Sequence, residues 1–314
     1  MARKLRIEHP GAIYHVINRG NYRRDLFESP GAGEAFLKAL AEAAQRYEWR
    51  VFAYVLMRNH FHLAIETPKP NLVDGMHWLQ STMATRFNRF RKERGHLFQG
   101  RYQSLLIEDS AALARVVDYI HLNPVRAKVI TAEQLCNYRW SSLYRYLRAQ
   151  QGTMLAAQAW LQARGGWNEN ANGWEGYRGH LEALSRNEAE QKQQGLEGLS
   201  RGWAIGTPGW RRALAQQYTH QKLSPGMERD QIKDLKLAAW DLQLDVLLSK
   251  VGKNRIDLTT RPRTNKWKLL IARELRNIGA QTSWIAELLQ MGKAASLRSQ
   301  LSRDKTKNNQ QTAA

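Results

Sequence analysis

From Ile13 to Arg19, polar and apolar residues alternate through a β-branched and aromatic run that closes on Gly20-Asn21, the pattern of a strand and its turn. Residues 33–47 set Phe36, Leu37, Leu40, Ala43 and Ala44 at helical spacing. Val51 to Met57 is apolar on both faces and suits a central strand. Arg58-Asn59 interrupts it, and His60 to Glu66 follows as another strand. Leu72 to Phe90 predicts a long helix with Met76, Leu79, Met83 and Phe87 on one stripe. Tyr102 to Ile107 predicts a fourth strand, and Ala111 to Asn123 a helix that Pro124 stops.

Strand, helix, strand, strand, helix, strand is the split βαβ order of ferredoxin-like folds. The expected class is α+β: an antiparallel sheet with helices on one face, followed by a mainly α-helical C-terminal region. Turn formers crowd Gly165 to Trp174, and Glu188 to Gly195 is polar throughout. These place a boundary near 150, with residues 151–260 as a connector. Six of the eleven tryptophans fall in that connector (Trp160, Trp167, Trp174, Trp203, Trp210 and Trp240), a density that predicts a packed helical subdomain. Three short helices are expected in a basic module at 261–304: Lys266 to Ile278, Ser283 to Leu289 and Ala294 to Ser302. Residues 305–314 read as a disordered tail.

Charge sharpens this division. The chain of 314 residues carries a formal net charge of +20. Residues 1–150 hold 23 basic and 13 acidic side chains, residues 151–260 hold 14 and 12, and residues 261–314 hold 11 and 3. Two basic blocks flank a near-neutral middle, as expected for two modules that meet a polyanion such as nucleic acid. The longest apolar run is the seven residues Val51–Met57, against roughly 18 for a membrane span. No apolar stretch follows the basic start at Met1–Glu8, which excludes a secretory signal, and a single cysteine (Cys136) leaves no disulfide or Cys-rich zinc site. A cytoplasmic protein is expected. No interface stripe distinguishes a monomer from a homodimer.

The chemistry starts at His60-Phe61-His62. Alternation along a strand sends Phe61, Leu63 and Ile65 to one face, and His60 and His62 together to the other. Two imidazoles so placed suit a divalent cation; the plainer alternative is a polar sheet face with two half-exposed histidines. On the final helix Tyr119 lies beside the apolar stripe of Leu113, Val116, Val117 and Ile120, and Asn123 lies one turn further along. A tyrosine hydroxyl there can attack a phosphodiester while Asn123 supplies an oxygen ligand; a boundary tyrosine before a helix-ending Asn-Pro is the plainer alternative. His121, two residues past Tyr119 and so about 200° round the helix from it, reads as a bystander. Arg86 and Arg89 are candidates for phosphate contact, and Phe87 and Phe90 for core.

Together these residues resemble the single-tyrosine HUH transposases, and most closely the REP-associated tyrosine transposases. The matching stretches are Tyr14-His15-Val16 through Arg19-Gly20-Asn21, Val55 to His62, Leu97 to Tyr102, Asp118 to Ala127, and Tyr138 to Ser142, five motifs in order over about residues 5–150. The resemblance implies that His60, His62 and Asn123 are metal ligands, for Mg2+ or Mn2+, and that Tyr119 is the nucleophile. It implies cleavage and rejoining of single-stranded DNA at REP-type hairpins through a 5′-phosphotyrosine link, with no ATP site. Arg19, Asn21, Arg23 and Arg24 fall where the family reads a guide sequence, and Arg101 lies within a matching stretch. In the C-terminal module Lys293 and Arg298 suit a helix-turn-helix grip on the duplex stem, or a small basic bundle that binds phosphate without sequence preference. Two other readings stay open: a metal-dependent nuclease in which water attacks, and a sequence-specific DNA-binding regulator with an inactive centre.

Overall fold

The structure is a computed structural model and describes residues 7–150, 152–219, 229–259 and 265–311. Met1–Arg6 and Thr312–Ala314, parts of the start and tail read above, lie outside the described residues. The chain divides into two compact units, one of Met1–Thr207 with Leu223–Gln231 and one of Pro208–Lys222 with Ile232–Ala314.

The first unit is built on β1 (Ala12–Arg19), β2 (Arg50–Met57), β3 (His60–Thr67), β4 (Gln103–Ile107) and the short β5 (Ala204–Ile205), in the spatial order β2-β3-β1-β4-β5. The first four strands pair antiparallel in the expected split βαβ arrangement, and β5 adds parallel to β4. The fold is α+β. Helix α1 (Pro30–Tyr47) starts earlier than its apolar stripe, because Ser29 caps it and proline occupies the first turn, where no backbone N–H is needed. It pairs with α2 (Leu72–Arg91), and Phe36 of α1 meets Phe61 of β3 with ring centroids 4.7 Å apart.

Helices do not keep to one face. Helix α3 (Ser110–Arg126) lies on the histidine side of the sheet, against β2 and β3, and α4 (Ser142–Tyr146), α5 (Gln158–Gly165), α6 (Ala171–Arg186) and α7 (Glu188–Gln193) follow it. Residues 151–207 therefore belong to the first unit and are not part of a separate connector. The reason is burial. Trp160 is fully enclosed, with its ring among those of Tyr146, Trp174, Tyr177 and His121. These large aromatic surfaces pack on one another and against the outer side of α3.

A directed chain of hydrogen bonds fixes α3 in this sandwich. The Tyr54 N–H donates to Ser142 Oγ at 2.9 Å, and the Ser142 hydroxyl lies 2.8 Å from His121 Nε2. His121 Nδ1 is 2.8 Å from the Tyr177 hydroxyl, which donates to Asp118 Oδ1 at 3.1 Å. Arg164 at 2.7 Å and His180 at 3.1 Å complete the partners of the fully buried Asp118 carboxylate. His121, fully enclosed, belongs to this chain and points away from the sheet's histidine pair.

The second unit gathers α8 (Pro208–Thr219), α9 (Arg229–Lys250), α10 (Lys266–Asn277), α11 (Thr282–Leu288) and α12 (Ala294–Gln311). Trp240, Leu244, Leu247 and Leu248 of α9 join Ile271, Leu275, Ile285, Leu289 and Leu297 in one core. The three expected short helices are present, but α12 continues through residues 305–311, where a disordered tail was expected; that stretch lacks glycine and proline, so nothing in it breaks the helix. Among the described residues no helix is long and apolar enough to cross a membrane.

Two outcomes follow for stability. Replacing Arg164 with Met leaves Asp118 charged, buried and short of a partner, and should cost about 3–5 kcal/mol in urea unfolding; a loss below about 1 kcal/mol would show that Asp118 is already compensated. Burial pushes His121 down to about 3. Its unfolded value is near 6.5, so the folded state binds fewer protons and stability falls as pH drops from about 6.5 toward about 3. Between pH 6.5 and 4.5 the wild type should lose about 2–3 kcal/mol more than His121→Gln; parallel pH profiles would contradict this.

Candidate active site

The pairing register converts the strand alternation into a surface. Ile17 of β1 stands opposite His62 and Arg19 opposite His60, so His15, Ile17 and Arg19 share the face of the histidine pair. His60 and His62 lie 5.2 Å apart between ring centroids, and His62 is again 5.2 Å from His15. This face is covered by α3, so His15 and His62 are buried and only His60 is partly open. Of the half-exposed polar face that was the plainer alternative, the open part is at His60 and Arg19.

Helix α3 brings the remaining groups. It does not stop at Pro124 but runs to Arg126, because proline this near the helix end forfeits one hydrogen bond while Asn123 and Pro124 still offer their carbonyls to Ala127 and Val129. Tyr119, Asn123 and Arg126 therefore stand at i, i+4 and i+7 on one face. The Tyr119 ring lies 5.5 Å from His62 and 5.6 Å from His15. Asn123 Nδ2 is 3.4 Å from His62 Nε2, and a half-turn of the amide sets its oxygen there instead. The Arg126 guanidinium sits 4.9 Å from the centre of the Tyr119 ring.

Electrostatics suit nitrogen ligation. Burial lowers His62 well below the ordinary histidine range, helped by His15, His60 and Arg126; burial with the Arg19 charge lowers His60, and burial brings His15 to about 4. All three imidazoles are neutral at pH 7, with lone pairs available. Among the described residues no group of three or more His, Cys, Asp or Glu side chains is arranged around a cation. The donors that fit one are two imidazoles and a side-chain amide, a set suited to a borderline divalent ion with open positions.

The site opens into a cleft of about 630 Å³, lined among others by Asn18, Arg19, Arg23, Asn59, His60, His62, Arg101 and Tyr119. Of the nine residues expected to touch DNA, Arg19, Arg23 and Arg101 line it, and Asn21 lies in the turn beside it. Arg24 is turned away, paired with Glu93 and stacked over Phe87 at 5.2 Å. Arg86 joins α2 to α1 through Glu42 at 2.7 Å, and exposed Arg89 shares α2. Lys293 and Arg298 are exposed on the second unit. Phe87 is core as expected, but Phe90 is 77% exposed. Asn18 adds a buried Nδ2 donor with no hydrogen-bond partner among the described residues.

Sequence reasoning passed over His15, Asn18 and Arg126 as site residues. Alternation along β1 puts His15 and Arg19 on one face, but only the register shows that this is the face of His62. Arg126 was hidden by taking Pro124 as the end of the helix.

Residues 9–123 match the family model described as "Transposase IS200 like". Among solved structures, the chain is similar to a REP-associated tyrosine transposase bound to a REP hairpin, at 17% identity and a TM-score of 0.40, over 51% of this chain and 93% of that one. It is also similar to a putative transposase from Deinococcus radiodurans R1, at 21% identity and a TM-score of 0.29, over 38% and 95%. No curated protein matches the chain. Both histidines, the tyrosine and the asparagine lie inside the segment that this family model matches.

Proposed function

We propose that this protein cleaves and rejoins single-stranded DNA at REP-type hairpins through a covalent 5′-phosphotyrosine link. The observation that carries the reading is the convergence of Tyr119, Asn123, His60 and His62, with Tyr119 and both histidines lining one cationic cleft. The Tyr119 oxygen attacks phosphorus, a P–O bond to tyrosine forms, and the bond to the 3′ oxygen breaks. That oxygen takes up a proton and leaves as a 3′-hydroxyl. In the reverse direction a 3′-hydroxyl attacks the phosphotyrosine and releases the phenol. Each step exchanges one phosphodiester for another, so no nucleotide hydrolysis is required.

A phenol with an ordinary pKa near 10 is a weak nucleophile and a poor leaving group. The Arg126 guanidinium stands over its ring. His60 and His62 through their Nε2 atoms and Asn123 through its amide oxygen are the residues to hold Mg2+ or Mn2+. When bound, the ion supplies Lewis-acid polarisation of a phosphate oxygen. Arg19, Arg23 and Arg101 hold the backbone of the strand in the cleft, with Asn21 reading the guide sequence beside them. Arg24, Arg86 and Arg89 stay outside this contact set. The second unit, through Lys293 and Arg298, grips the duplex stem in the manner of a helix-turn-helix reader. The REP-type substrate rests on the motif resemblance, with asparagine in the third ligand position.

Labelled hairpin DNA incubated with Mn2+ and run on a denaturing gel should give a covalent protein–DNA band that Tyr119→Phe abolishes. Cleavage that persists in the variant means that water attacks and the protein is a nuclease; binding without any cleavage means a regulator. Removing Arg19, Arg23 or Arg101 singly should flatten the dependence of log affinity on log salt for single-stranded DNA by about 0.7 per residue. An unchanged slope in all three would put the strand elsewhere.

A further inference from the structure

The two ligand histidines are oriented from behind by different devices, and one of them reaches beyond the transposase-like segment. His62 Nδ1 lies 3.0 Å from His15 Nε2, and His15 Nδ1 lies 2.8 Å from the backbone carbonyl oxygen of Leu199. A carbonyl oxygen can only accept, so His15 carries its proton on Nδ1. Both rings are enclosed, and no carboxylate among the described residues is hydrogen-bonded to either, so both are uncharged. His15 Nε2 is then a bare acceptor, and His62 must place its own proton on Nδ1 to meet it. That leaves the His62 Nε2 lone pair on the side of Asn123 and the cleft.

His60 reaches the same state by a shorter route. Its Nδ1 lies 2.8 Å from Asn59 Oδ1, and the Asn59 amide is held in that sense by donating its Nδ2 to the Arg23 carbonyl at 3.3 Å. Both histidines thus face the cleft through Nε2, one set by an amide on its own strand turn and one by a relay through β1.

We propose that His15 is a positioning residue which, anchored by the Leu199 carbonyl, locks His62 in the tautomer that presents Nε2 as a metal ligand. Resting on the reading of His60, His62 and Asn123 as a metal site, this gives the segment 151–207 a part in that site. The family-matched residues supply the ligands, while a backbone carbonyl nearly eighty residues downstream sets one of them. Groups hydrogen-bonded to the far nitrogen of a metal-bound histidine fix its ring orientation and tautomer, and losing them typically weakens metal binding about 10–100-fold.

Nitrogen-15 NMR of the metal-free protein reads the tautomers directly, without activity. The wild type should show Nδ1–H on both His15 and His62. Glutamine at 15 can donate to Leu199 and accept from His62, so His15→Gln should keep the His62 tautomer and bind Mn2+ as the wild type does. His15→Phe fills the space but offers no acceptor. It should lose the fixed tautomer and weaken Mn2+ binding, followed by paramagnetic resonance, about 10–100-fold. An Nε2–H tautomer for His62 in the wild type, or unaltered Mn2+ affinity in His15→Phe, overturns the relay. Mn2+ affinity that survives His60→Ala would instead remove the metal reading, which the tautomer signal does not depend on.

Discussion

A sheet face that carries imidazoles has been closed over by a helix, and every polar group trapped there has to be satisfied from within. An unpaired buried donor or acceptor costs roughly 1–3 kcal/mol and an unpaired buried charge more, so such a layer forms only with its partners in place. The chain from Tyr54 through Ser142, His121 and Tyr177 to Asp118 and Arg164 meets that requirement on the outer side of α3. Asp118 and His121 flank Tyr119 in sequence and turn away from it. Their bonds fix the rotation of the helix, and with it the direction in which Tyr119, Asn123 and Arg126 face.

The same constraint explains the tryptophan-rich stretch. Trp160, Trp174 and Tyr177 enclose the chain from water, and from the same segment Arg164 pairs with Asp118 and His180 lies within hydrogen-bond reach of it. Strand β5 and the Leu199 carbonyl then approach the sheet from its β4 side and from behind His15. Residues 152–207 of what reads in composition as a neutral spacer form the second wall of the unit that holds the candidate site.

Much of this was legible in the sequence. The strand and helix periodicities located β1 to β4 and α1 to α3 within a few residues, and alternation alone separated His60 and His62 from Phe61. Helical spacing put Asn123 beneath Tyr119. What could not be read depends on non-local pairing. The exposed or buried state of the histidine face is decided by α3, an element remote in the chain from the strands it covers. The partners of Arg24 and Arg86 are acids on neighbouring elements, so basic residues that look alike in the chain divide into three that line the cleft and two that hold the fold together. Pro124 misled for a local reason: a proline near a helix end removes a hydrogen bond that the last turn can spare.

The central claim is that the tyrosine held by α3 becomes bonded to DNA. Digestion of the protein–DNA adduct to peptides and mass spectrometry of the nucleotide-bearing fragment locates that bond. The account predicts one modified residue, Tyr119, carrying a 5′-phosphonucleotide. An adduct on any other residue, or cleaved DNA accompanied by wholly unmodified protein, would contradict it.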